Sequence, residues 1–288
     1  MQSQDILRLY EEGYRDFKGL QLAGADFSGH IFVGVNFAGC DLSGANFSRT
    51  FLTKVNFTNA NLSRANLMYA KMSDSRFTQA LLNKANLQGA FGVRANFTRA
   101  QVSGAQLSHV NLRAAQLTEA NFTGANLTGA NLRNAQLTGA DFAWANLSGV
   151  RLIGGAIAQT RFNGANFSRA FLSGLDFSGM NLSGVSFQAA RLKGACFQEA
   201  DLTAANFSAA SLQNSDFQDA QLAGANLDWA HLHRAKFHRA DMRRINPAHV
   251  DWSDADRTGA CFDGPVECNG PIELEPSVAS AASALLSS

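Results

Sequence analysis

The chain places a large apolar residue at every fifth position for almost its whole length. From Phe17 to Phe262 there are 50 such positions, and all but Gly92, Pro247 and Arg257 hold Leu, Phe, Ile, Val, Met or Trp. The spacing never slips, so the pattern carries no insertion or deletion. Two residues before each apolar position comes a small one: Ala fills 32 of the 49 slots from Leu20 to Ala260. Between the two sits Asn, Asp, Gln or another mostly polar residue, as in Ala125-Asn126-Leu127-Thr128-Gly129. A period of five fits neither a helix, which needs about 3.6, nor a half-buried strand, which needs about 2. Asn and Asp at every fifth position also compete for helical backbone bonds. The spacing predicts a chain that turns a corner every five residues, with the large residue and the Ala pointing inward. Such a chain is a solenoid whose turns have no core until they stack.

A second period groups four units into a coil. Phe recurs every 20 residues at 17, 37, 57, 77 and 97, and again at 177, 197, 217 and 237. A second track holds Phe27 and Phe47, then Phe167, Phe187 and Phe207. Where these tracks thin out in the middle, Phe122, Phe142 and Phe162 take over a neighbouring one. A lumen of nearly fixed volume behaves this way, because overfilling and underfilling both destabilise.

These units resemble the pentapeptide repeat family over residues 15–264. The resemblance implies an all-β fold, a right-handed quadrilateral β-helix of about twelve coils. At the ~4.8 Å spacing of stacked strands it is a rod about 60 Å long. The lead-in Leu9-Tyr10-Glu11-Glu12-Gly13-Tyr14-Arg15-Asp16-Phe17 is similar to that of cyanobacterial members. Residues 1–14 are expected to form an N-terminal capping helix, read as Gln4 to Glu12 after Ser3, with Ile6, Leu7, Leu9 and Tyr10 on its apolar side and Gly13 as its stop. Residues 265–288 form a C-terminal tail, either a cap or a disordered segment.

Composition adds bounds. The formal charge is +1, from 24 basic and 23 acidic residues, which gives no global signal for nucleic acid or anionic lipid. No apolar run approaches a membrane span, and the N-terminus lacks the basic start and apolar stretch of a signal peptide. A cytoplasmic protein that does not engage membranes is expected. Four scattered cysteines at 40, 196, 261 and 268 give no metal-ligand spacing and read as reduced thiols. No nucleophile elbow, phosphate loop or metalloprotease spacing is present, so no enzyme activity, cofactor or metal is expected. The histidines at 231, 233 and 238 read as a surface patch rather than a metal site.

Charge is uneven along the axis. Residues 49–169 hold thirteen Lys or Arg against three acids, a net +10, while 170–288 hold eight against fourteen, a net −6, and 1–48 three against six, a net −3. One face stands out once residues are sorted by their place in the coil. Its polar slot reads Ile31, Phe51, Lys71, Phe91, Asn111, Asn131, Arg151, Phe171, Arg191. Outward Phe among basic residues is not what the repeat alone selects. Gly92 marks an internal defect on this same face, and Phe91 has the alternative of turning inward to fill it. The candidate partner-binding residues are Phe51, Phe91, Phe171, Arg94, Arg113, Arg133 and Arg151, because aromatic residues and arginine dominate interface energetics.

The expected function is that of a non-enzymatic scaffold or regulatory protein that binds a protein partner through the rod surface; the partner's identity and the oligomeric state are left open. Two alternatives remain. Some family members protect type II topoisomerases by mimicking DNA with an acidic surface, a role the basic middle disfavours. Nucleic-acid binding by the basic face is favoured by the interleaved Phe but disfavoured by the near-zero total charge.

Overall fold

The fold follows the five-residue unit closely. A computed structural model describes residues 2–263; the expected C-terminal tail lies outside the described residues. Parallel bridges join each polar-slot residue to the one 20 positions later. Asp16–Asn36, Gln21–Asp41, Asp26–Asn46 and Ile31–Phe51 begin four ladders, so one coil takes 20 residues and has four sides. Each rung is a single-residue bridge, and among the described residues none extends into a longer strand. Two of every five residues are spent on the corner, which leaves too little straight chain for one.

Backbone groups are satisfied mainly between coils. Leu127 N–H donates to the Asn146 carbonyl at 2.8 Å, Asn146 N–H to Ala125 at 2.9 Å and Gly129 N–H to Ser148 at 2.8 Å. Within the coil, Ala130 N–H closes the turn on Leu127 at 2.9 Å. The corner residue has positive φ, +66° at Gly129 but also +57° at Lys84 and +55° at Ala209. Non-glycine residues persist in this left-handed region because the ladders on either side over-determine it.

The five-spaced series forms the interior as expected. Phe177, Phe197, Phe217 and Phe237 stack at 5.0, 4.9 and 4.9 Å between ring centroids, and the inward side chains from Phe17 to Met242 are buried. Where a hydroxyl or thiol occupies the small slot it is paired: Thr50 Oγ1 donates to the Phe27 carbonyl at 2.9 Å, and Cys40 Sγ to Phe17 at 2.9 Å. Toward the C-terminus burial decays, with Pro247 exposed and Trp252 and Arg257 half-buried.

The N-terminal helix α1 spans Ser3–Glu11 and is capped by Gln2, one residue earlier than expected. Asp5 fixes that start by accepting the Gln2 N–H at 2.9 Å. Ile6 is fully buried, and the Tyr10 ring meets Phe32 edge-on at 5.2 Å. The Tyr10 hydroxyl accepts the Val33 N–H at 3.1 Å, the bond that an Asn in the polar slot provides elsewhere.

The ladders contain three missing rungs among the described residues: Ala156–Asp176, Arg161–Asn181 and His231–Asp251. The last falls where the repeat decays. The other two lie mid-rod, whereas the ladder runs intact past Gly92, whose N–H reaches the Asn111 carbonyl at 2.8 Å. Of the cysteines, Cys40 and Cys196 are free thiols, and burial pushes the Cys40 thiol up. Cys261 is disulfide-bonded, which departs from the reading of all four as reduced.

Candidate functional site

An unbroken ladder runs Ile31–Phe51–Lys71–Phe91–Asn111–Asn131–Arg151–Phe171–Arg191–Ser211–His231. The candidate residues therefore do share one side of the rod. Phe51, Phe91, Arg151 and Phe171 occupy the polar slot, Arg113 and Arg133 the position just past the inward residue, and Arg94 the corner. At ~4.8 Å per coil, Phe51 and Phe171 lie about 29 Å apart.

The structure resolves the position of Phe91. Its side chain is 44% exposed and Phe51 is 38% exposed, so neither turns inward. A side chain at Gly92 would run into Met72 and Leu112, each 3.1 Å from the point its Cβ would occupy. Those two neighbours along the axis fill the space, and Phe91 is left outside.

The seven residues are not equivalent. The Lys71 ammonium lies over the Phe51 ring, 4.3 Å from its centroid. Phe171 is half-buried between the Arg151 and Arg191 guanidinium groups, at 5.6 and 4.6 Å. Such contacts favour a desolvated cation over a ring. Arg94 is held by Asp74 through two parallel bonds of 2.7 and 2.8 Å, and this guanidinium keeps the Asp74 carboxyl below the usual aspartate range. The middle segment's other two acids are likewise taken, Glu119 by Arg99 at 2.7 Å and Asp141 by Arg161. Arg113 and Arg133 are exposed and have no ion-pair partner among the described residues. All three acids are neutralised, so the free positive charge of the middle segment sits on such residues.

Sequence reasoning missed a set of exposed corner aromatics: Tyr69, Trp144 and Trp229, at 49%, 72% and 59% exposure. Tyr69 and Trp144 each lie across the glycine one coil later. A Cβ at Gly89 would run into the Tyr69 ring, and one at Gly164 into the Trp144 ring. Trp229 stacks on His249 instead, at 4.3 Å. The readable signal was a glycine 20 residues after each of the first two aromatics. The histidines expected as a surface patch do lie outward; His233 pairs with Asp254 at 2.7 Å. Among the described residues no group of three His, Cys, Asp or Glu is arranged to hold a metal, and no helix is long and apolar enough to cross a membrane.

The family model described as pentapeptide repeats (8 copies) matches residues 115–153, and that for a pentapeptide repeat region matches 30–105 and 158–227. The chain belongs to the pentapeptide repeat family. Among solved structures it is similar to HetL, a pentapeptide repeat protein involved in heterocyst differentiation regulation from the cyanobacterium Nostoc sp., at 24% identity over 93% of this chain and 100% of that one, with a TM-score of 0.40. It is also similar to full-length QnrB1, a plasmid-mediated fluoroquinolone resistance protein, at 16% identity over 86% and 94% of the two chains, with a TM-score of 0.38. A pentapeptide repeat protein from the Arabidopsis thaliana thylakoid lumen aligns at 26% identity over 46% of this chain and 64% of that one, with a TM-score of 0.21. No curated protein matches the chain significantly.

Proposed function

We propose that this protein is a non-enzymatic scaffold or regulator: a rod of about twelve coils, closed at its N-terminal end by α1, that binds an acidic protein surface through the face containing Phe51, Phe91, Phe171, Arg94, Arg113, Arg133 and Arg151. The observation that carries this reading is the pairing pattern on that face. Among the described residues, Arg113 and Arg133 are exposed cations with no acid of their own, between outward rings that the repeat does not require. Arginine and aromatic groups on a rigid surface lose little entropy on binding and make strong anchors. Among the described residues the interior is filled by the inward side chains, which disfavours an enclosed pocket there of the kind substrates occupy.

The same pattern disfavours single-stranded nucleic acid. Base stacking needs open aromatic faces, and on this face Lys71 lies over Phe51 while Arg151 and Arg191 flank Phe171, which leaves Phe91 as the one ring of the three without a cation over it among the described residues. The test is a titration with generic DNA and RNA over increasing salt, beside a pull-down from the source organism's extract. The reading expects weak nucleic-acid binding at low salt that vanishes at moderate salt, and a retained protein whose association slows as salt rises. Tight, salt-resistant binding of nucleic acid with no retained protein contradicts it.

A further inference from the structure

The two missing mid-rod rungs are neighbours. They open two adjacent sides of the rod between the coil of residues 156–165 and the coil of residues 176–185. On the coils before and after, the same positions are bonded: Leu137 N–H to the Ala156 carbonyl at 2.7 Å, Phe142 to Arg161 at 2.8 Å, Phe177 to Cys196 at 2.7 Å, Leu182 to Asp201 at 2.7 Å. The corresponding bonds from Ile157 to Asp176 and from Phe162 to Asn181 are not formed. The remaining two sides stay closed, through Leu152 N–H to Phe171 at 3.1 Å and Phe167 N–H to Ser186 at 2.7 Å. The bonding is looser at the edge of the closed part, where Ser186 N–H reaches the Ala165 carbonyl at 3.4 Å.

The residues at the gap explain it. The small inward slots on its downstream lip hold Leu175 and Met180. Elsewhere, Leu, Ile or Met in this slot occurs only at the ends of the repeat, at Leu20 and Ile245. Extra volume in a slot sized for Ala wedges packed layers apart. On the upstream lip the polar slot is Ala156, which has no amide to tie the coils together, and the small slot is Gly155. The core changes course at the same place. The Phe122–Phe142–Phe162 stack ends here, and Phe162 meets Phe167 and Phe177 edge-on at 5.0 and 6.4 Å before two new stacks begin. The net charge changes sign at the same junction, from +10 over residues 49–169 to −6 over 170–288.

We infer that this seam is a hinge that divides the rod into two cooperative units, a basic one ending near Ala165 and an acidic one beginning near Asn166. Bending opens the rod further along the two unbonded sides. The two bonded sides act as the hinge line, because only there do backbone bonds cross the junction. Unpaired rungs and a discontinuous core are the features that lower the free energy of local opening. Arg151 and Phe171 face each other across the closed part, so the aromatic and basic face stays in register as the far side opens.

Amide hydrogen exchange on the whole chain tests this directly. The amides of Ile157, Phe162, Asp176 and Asn181 should exchange at least ~10-fold faster than those of Leu137, Phe142, Cys196 and Asp201. In the double variant Leu175→Ala, Met180→Ala the same four amides should slow toward their neighbours. Denaturant unfolding of the parent should show two transitions. Protection of the four amides equal to that of the neighbouring coils in the parent protein overturns the hinge, whatever the variant does. Unchanged fast exchange in a folded double variant overturns the wedge as its cause.

Discussion

Two adjacent faces of this rod use the same polar slot for different ends. On the face from Asp26 to Asn246, ten of the twelve slot residues accept the backbone N–H two positions on through a side-chain oxygen. On the face from Ile31 to Asp251, only Asn111, Asn131 and Asp251 of twelve do so. The first face uses its side chains to hold corners; the second gives up most of those bonds for Phe, Lys and Arg. Each such bond contributes about 1 kcal/mol net, so the second face carries a stability cost that nothing in the coil requires. A surface that departs from the structurally favoured residue is expected where function resides.

The largest test concerns what both faces share. Phe197→Asp would bury a carboxylate in the stack with Phe177 and Phe217, and the protein should fail to fold or lose more than ~4 kcal/mol. A variant that melts like the parent would show the interior assignment to be wrong. On the asparagine face, Asn146→Ala removes an acceptor for both the Ser148 N–H at 3.1 Å and its hydroxyl at 2.8 Å. Denaturant midpoints should fall by the equivalent of about 1 kcal/mol.

The converse change sharpens the contrast. Phe91→Asn returns the corner bond to the second face and removes an exposed ring, so stability should hold or rise by about 0.5 kcal/mol while partner binding weakens. A marked loss of stability would mean that Phe91 is structural after all. The smallest effect is on acid stability. Arg94, Arg99 and Arg239 hold Asp74, Glu119 and Asp219 below the ordinary carboxylate range. Groups depressed on folding contribute stability above their unfolded pKa and lose it as pH falls through the folded value. The melting temperature should therefore be flat from pH 7 to about 5 and decline below about 4, and Asp74→Asn should flatten part of that decline.

The coil, its interior and the membership of each face were legible because period and register alone determine them. The inward series, the burial decay at Pro247 and the common side of Phe51, Phe91 and Phe171 all follow from counting by five and twenty. Volume and pairing were not legible in that way. Gly92 stood out as a break in the pattern, yet Met72 and Leu112 close over it. The true break falls where the spacing is perfect and only the sizes of Leu175 and Met180 are wrong for their slots. Spacing also could not show that Arg94 is bound by Asp74 or that Phe171 lies between two guanidinium groups.

The central claim is that the second face, and not charge in general, engages the partner. The most direct measurement compares partner capture from extract of the source organism by three proteins: the parent, the double variant Arg113→Glu, Arg133→Glu, and the double variant Arg64→Glu, Lys84→Glu on the opposite side of the coil. All four positions are exposed and the two variants change charge equally, so all three proteins should melt together. Loss of affinity by about tenfold or more in the first variant alone is the predicted result. Equal capture by all three proteins, or an equal loss in both variants, would contradict it.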